Sequence, residues 1–235
     1  MIWRSGMFKK NDWDLDGPWG IGKEDYMTFI SNSGSLSSVE NILELGSGNS
    51  TCQLAKDFPN TKIISLESSS IYAQESEELL LSNSLHNAVV LFSPLRLLYF
   101  KRGLFLTYSP SVLQGKSCRF DLMLIDGPPE NSCPRGREAG LYAFFNRLSV
   151  GSIIGLDDYH RERARRTVAN WFIIFGSAIE IVDETKSFVV LRKTKEYPEN
   201  LFNLNMLFST YSSTVISLLG LFKYRFVSTK KSLIR

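Results

Sequence analysis

Five short apolar runs, at 41–45, 62–66, 88–92, 120–125 and 152–156, constrain this chain more than any other feature. Each has the length of a buried strand and lacks helical periodicity. Helix-like segments separate most of them. One starts near Ser50 and runs through Phe58 to a stop at Pro59; a second spans 71–82, with Glu75, Glu77 and Glu78 on a solvated face. Strand alternating with helix predicts an α/β domain built on a mainly parallel, doubly wound sheet. Beyond the fifth run, 160–175 reads as a helix, and 178–182 and 188–192 are two runs split by the polar turn DETKS, the pattern of a hairpin.

A chain of 235 residues has room for one such domain plus appendages, so the expected division is a cap at 1–36, a domain at 37–195 and an appendage at 196–235. The hydrophobic share of 43% and charged share of 22% are those of a globular protein, which argues against disorder and against a multi-span membrane protein. Cys52, Cys118 and Cys133 form no CxxC pair. With no export-like leader at the N-terminus, they point to a cytoplasmic location, with the inner membrane face as an optional station.

The first run ends in a carboxylate and a glycine turn, NILELGSGNST, an arrangement suited to holding a nucleotide-like ligand. Glu44 closes the strand, Gly46-Ser47-Gly48 makes the turn, and Ser50 and Thr51 open the helix. Glycine allows unusual backbone angles and close ligand approach. A dinucleotide-binding GxGxxG would carry its third glycine where Thr51 stands. The second run ends in Glu67, followed by Ser68, and an acid there is suited to accepting both hydrogen bonds of a ribose diol. The third run ends in the turn Ser93-Pro94 at the same edge of the sheet.

The last two parallel strands also end in acids. Asp126 opens DGPP after the fourth, and Asp157 and Asp158 follow the fifth in LDDYHRER. An acid leaving an apolar strand is costly to bury alone, so a cation or donor should lie nearby. Three converging carboxylates suit a hard ion such as Mg2+. His160, two residues past Asp158, is the better placed of the two histidines to remove a proton, and Asp158 is the alternative base if no metal binds. Arg135 and Arg137 follow Asp126 in a strand-end loop and are the candidates for gripping an anionic group on a substrate. Arg161, Arg163, Arg165 and Arg166 share a helix, where Glu162 can pair with Arg166.

The motif set ELGSGNST, Glu67, IDGPP and LDDYHRER resembles the class I S-adenosylmethionine-dependent methyltransferases over roughly 39–193. It is closest to a broad group carrying DGP and LDD elements, some of them associated with sugar or polysaccharide modification. The resemblance implies a Rossmann-like seven-stranded sheet closed by an antiparallel hairpin. It also implies S-adenosylmethionine held by Glu44, Gly46, Ser47, Gly48, Ser50, Thr51, Glu67, Ser68, Ser93, Pro94 and Asp126. A likeness to metal-dependent O-methyltransferases adds a divalent ion on Asp126, Asp157 and Asp158, with Asp126, Asp158 and His160 in catalysis. The lysine that catechol-type enzymes carry after the fourth-strand acid is missing from GPPENSCPRG. The expected activity is O-methylation of a sugar, glycan or other small hydroxyl-bearing acceptor. Its rivals are a nicotinamide-dependent oxidoreductase and a non-catalytic, membrane-associated binding protein of the same fold.

The charge of +3 is unevenly spread. Lys223, Arg225, Lys230, Lys231 and Arg235 all follow the last acid, and without them the core holds two more of the 24 acids than bases. That balance disfavours a nucleic-acid partner, which would call for a basic face. Residues 200–222 carry no charge, but polar clusters interrupt them before the roughly 20 apolar residues of a membrane span are reached. Contact with a membrane surface and packing in a homodimer are two open readings of this tail.

Overall fold

The computed structural model describes residues 20–131 and 133–197, together with Leu219. In chain order the elements are α1 (Lys23–Ser33), β1 (Asn41–Leu45), α2 (Asn49–Asp57), β2 (Lys62–Glu67), α3 (Ser70–Ser82), β3 (Ala88–Phe92), β4 (Arg96–Phe100), β5 (Gly103–Thr107), β6 (Phe120–Ile125), α4 (Gly136–Phe144), β7 (Leu148–Leu156), α5 (Glu162–Phe175), β8 (Ile179–Glu184) and β9 (Val189–Lys193). The main sheet has seven strands in the order β3, β2, β1, β6, β7, β9, β8. Pairings from β3 to β7 are parallel, and β9 runs antiparallel to both β7 and β8. From β1 the chain moves outward to β3 and then returns to β6 on the other side. The crevice where that order reverses, at the carboxyl ends of β1 and β6, is where open α/β sheets bind ligands.

Alternation along the strands sets the layers. Ile42, Leu122, Leu124 and Ile153 face one side, where Ile21, Tyr26 and Phe29 of the α1 region and Cys52 and Leu54 of α2 cover them. Leu43, Leu45, Met123, Ile125 and Ile154 face the other side, against Leu141 and Phe144 of α4 and Val168 and Trp171 of α5.

Helix α1 is not the cap over the strand ends expected of 1–36. It lies on the face of the sheet against β7, β8 and β9, with Phe29 edge-on to Phe188 at 6.1 Å. Gly155 makes room for it, since a Cβ there would stand 2.5 Å from the Phe188 ring and 2.8 Å from that of Phe29. The Tyr26 hydroxyl donates to Asp57 (2.8 Å), and Asp25 accepts from Thr185 and Ser187 of the β8–β9 turn. The remainder of that cap, 1–19, and the apolar and basic tail beyond 197, apart from Leu219, lie outside the described residues, as do the membrane and dimer contacts expected of the tail. Among the described residues no helix is long and apolar enough to cross a membrane.

Two elements were not legible from the runs. A β4–β5 hairpin stands between β3 and β6, joined by Lys101-Arg102 in place of the Asn-Gly or Asp-Gly that announces a tight turn. Arg135 and Arg137, expected in a strand-end loop, stand at the start of the helix α4.

Candidate functional site

Gly46 has a left-handed φ of +97°, and a Cβ on it would lie 2.9 Å from the Gly127 nitrogen. The glycine turn after β1 and the DGP turn after β6 are therefore pressed back to back, which only two glycines permit. The Gly46 N–H donates to the Leu66 carbonyl (2.9 Å) and ties the turn to β2. Gly48 is extended, and a Cβ there would meet nothing within 4 Å, so the turn presents open backbone at the crevice.

Glu44, Ser50 and Thr51 shape this turn from behind. Glu44 is fully buried; Ser50 and Thr51 donate their hydroxyls to its two oxygens at 2.6 and 2.5 Å. The Thr51 hydroxyl also accepts the Gly48 N–H at 3.0 Å. Burial pushes the Glu44 carboxyl up to about 7 against the pull of those hydroxyls. These three side chains, expected at the cofactor, hydrogen-bond one another behind the turn.

Glu67 sits at the end of β2 and spans two turns. Its carboxylate accepts the Ser47 N–H (3.2 Å) on one oxygen, and the Ser69 N–H (2.8 Å) and the Ser68 hydroxyl (3.2 Å) on the other. Burial raises its pKa and those donors oppose the rise. The Ser68 N–H also helps to hold the ionised form, so the carboxylate is fixed in place between the two turns. The Ser47 hydroxyl shares a hydrogen bond with Ser76 of α3 (2.9 Å), and the buried Ser93 donates its N–H to the Glu67 carbonyl (2.7 Å), with Pro94 half-buried beside it.

The strand-end acids do converge. Oxygens of Asp126, Asp157 and Asp158 lie within 4.8 Å of one another. The cation among them is Arg137, only 7% exposed, on the first turn of α4. Its guanidinium bonds Asp126 (3.1 Å), the Asp157 carbonyl (3.1 Å) and Asp158 (2.8 Å), and Arg161 adds a second contact to Asp158 at 2.7 Å. Burial works against the Arg137 charge, but Asp126, Asp158 and Asp157 outweigh it and raise its pKa. Asp157 is pushed up by burial and then by its two neighbouring acids, with Arg137 opposing. Asp158 holds a left-handed φ of 64°, a strained setting for a non-glycine residue. An all-oxygen donor set is one that Mg2+ accepts. Here, however, a buried guanidinium already takes one oxygen of Asp126 and one of Asp158, so an ion would have to share the cluster with Arg137.

No family model and no curated protein matches the sequence. Solved structures do match in shape. An O-methyltransferase from Bacillus cereus in complex with SAH shares 14% identity at a TM-score of 0.56, covering 76% of this chain and 84% of that one. The O-methyltransferase TomG from Streptomyces achromogenes, in complex with SAM, shares 12% at 0.54, covering 77% and 85%. A precorrin-6y C5,15-methyltransferase from Geobacter metallireducens shares 15% at 0.54, covering 76% and 92%. The fold is that of the class I methyltransferases.

Within this methyltransferase fold, two expected substrate contacts turn inward. Arg135 bonds Glu138 twice, at 2.8 and 2.6 Å, and lies 4.8 Å over the Phe105 ring, while Arg137 is the counter-ion of the acids. The reason is α4: a helix starting at Gly136 carries both guanidiniums onto packed surfaces. Asp158, the alternative base, gives one oxygen to two arginines, and His160 stands exposed. On α5, Arg166 pairs with Glu162 (2.5 Å) on an exposed face, as its spacing predicts.

Tyr108 is the residue that the motifs did not reveal. It follows β5, is fully buried, and its hydroxyl has no hydrogen-bond partner among the described residues. A Cβ on Gly127 would lie 2.7 Å from that hydroxyl, so it borders the paired glycine turns. Burial, then the Glu67 charge, holds its pKa high, so it remains a donor. Only the hairpin brings it there, and the hairpin had no sequence signature.

Proposed function

We propose that this chain is an S-adenosylmethionine-dependent methyltransferase acting on a hydroxyl of a sugar, glycan or other small acceptor, without a bound metal. The observation that carries the reading is the crevice itself. Open backbone at Gly48, the Glu67 carboxylate and the unpartnered Tyr108 hydroxyl face one strand-end region, beside the acids gathered on Arg137.

S-adenosylmethionine would supply an electrophilic methyl group on a sulfonium. The chain's own residues supply alignment and charge. Glu67 is suited to the ribose diol, Gly48 to close approach, and Tyr108 to donating one hydrogen bond to the cofactor. Three carboxylates against Arg137 and Arg161 leave a formal charge of −1 when all are ionised, which suits a sulfonium. Asp126 is the most exposed of the three bonded acids, with 21% of its side chain open, and it adjoins Asp157. That pair can take the proton of an acceptor hydroxyl, and alignment alone is worth roughly 7–11 kcal/mol in favourable cases.

The test is calorimetry with purified, cofactor-free protein. Saturable binding of S-adenosylmethionine, and none of NADH, is expected. Binding of NADH alone would transfer the reading to the oxidoreductase rival. For the metal, turnover should stay within about twofold in excess EDTA, and a loss beyond tenfold would restore an ion to the site.

A further inference from the structure

The β4–β5 hairpin starts at the ligand edge and runs five residues away from it, on the order of 17 Å, before turning at Lys101-Arg102. There a cleft of about 340 Å³ opens between the hairpin turn, Phe145 and Asn146 after α4, the end of α5 and Tyr197. Its volume falls within the range of small-molecule sites, roughly 300–1,000 Å³. The walls are rings: Phe145 stacks on Phe175 at 4.0 Å, Tyr197 meets Phe175 edge-on at 5.3 Å, and Tyr142 and Phe100 complete the lining.

Such walls suit an apolar body, but the polar groups among them are left wanting. The Lys101 ammonium is buried with no hydrogen-bond partner among the described residues, and the Tyr197 ring faces it at 4.9 Å. The Tyr197 hydroxyl is buried and unpartnered too. Arg102, 9% exposed, leaves its Nε without a hydrogen bond and holds Glu138 only at 3.9 Å. Glu138 is already bonded by Arg135, Tyr142 and Asn170. Nearby Lys193 and Arg119 use up Glu196. Positive charge around the cleft thus exceeds negative, and a buried ammonium without a counter-charge is expensive.

We infer that this cleft binds an amphiphilic organic anion, a carboxylate or phosphate monoester carried on an apolar chain or ring, with Lys101, Arg102 and Tyr197 holding the anionic head. The site is separate from the methyl-transfer crevice.

Calorimetric titration of the full chain with decyl phosphate, below its micelle concentration, tests this. One saturable site is expected, with inorganic phosphate weaker by on the order of 100-fold because it lacks the apolar body. Lys101→Met should weaken decyl phosphate about 10-fold or more, and Lys101→Arg should hold it within about threefold. Tyr197→Phe, which deletes one hydroxyl, should weaken it about fivefold. S-adenosylmethionine affinity should be unchanged in all three variants, which certifies folding and separates this test from that of the crevice. Absence of saturable binding to the natural chain would overturn the inference, as it would if the chain's own residues beyond 197 filled the cleft. Equal binding by Lys101→Met, or inorganic phosphate binding as tightly as decyl phosphate, would overturn it as well.

Discussion

Replacing Arg137 by methionine keeps the length of the side chain and removes the charge on which the acid cluster rests. Asp126 and Asp157 lose their cation, while Asp158 keeps Arg161. Because Arg137 is 7% exposed, solvent screening offers little relief, and breaking a buried pair from one side costs about 3–5 kcal/mol. Against a total stability of about 5–15 kcal/mol that loss is large but survivable. Its pH dependence has a definite sign. Asp157 has a folded pKa raised above the unfolded value of about 3.9, so the folded state binds the proton more tightly. Stability is full below the unfolded pKa and is lost as pH rises through the folded one. Without Arg137 the folded value rises further, so the variant goes on losing stability above the natural chain's folded value of about 8, where the natural chain has levelled off. Urea denaturation at pH 6 and pH 10 should therefore show the larger deficit at pH 10. A deficit below about 1 kcal/mol at pH 10, or one that is equal at both, would show that Arg137 is not the cluster's counter-ion.

The two glycines of the first turn should behave oppositely. Gly46→Ala meets backbone at 2.9 Å in a left-handed conformation, so a loss of more than about 2 kcal/mol is expected on thermal unfolding, whereas Gly48→Val should leave stability within about 1 kcal/mol and weaken S-adenosylmethionine about 10-fold by calorimetry. Methyl-transfer rate should rise with pH through neutrality, because the raised Asp157 pKa delays ionisation of its pair with Asp126, and Asp157→Asn should flatten that acidic limb; an unchanged profile would place the base elsewhere. Glu67→Gln should weaken S-adenosylmethionine about 10-fold, and unchanged affinity would remove Glu67 from the site. Pelleting of the full chain with anionic vesicles, compared with neutral ones, tests whether the basic residues beyond 222 reach a membrane surface; equal pelleting would favour packing between copies of the chain.

The sheet was legible because its strands announce themselves as unbroken apolar runs, β1 and β6 through burial on both faces: 41–45, 88–92 and 120–125 match β1, β3 and β6 end to end. The glycine turn and Glu67 were legible because their spacing follows from a strand feeding a helix. Roles within the site were harder to read, since they depend on which way a side chain points once an unannounced element is in place. Glu44, Ser50 and Thr51 fit a cofactor motif by position, yet their hydrogen bonds close on one another. Arg137 seemed to belong to a loop open to substrate, and helix α4 turned it into the core of the acid cluster.

That last displacement changes the chemistry as well as the address. Three carboxylates on adjacent strand ends are compatible with a metal site when only strands are considered, because nothing in the strands supplies positive charge. The α4 helix supplies it covalently, as a guanidinium whose planar donors reach Asp126 and Asp158 together. A guanidinium shared between Asp126, Asp158 and the Asp157 carbonyl leaves Asp126 the more open acid of the cluster.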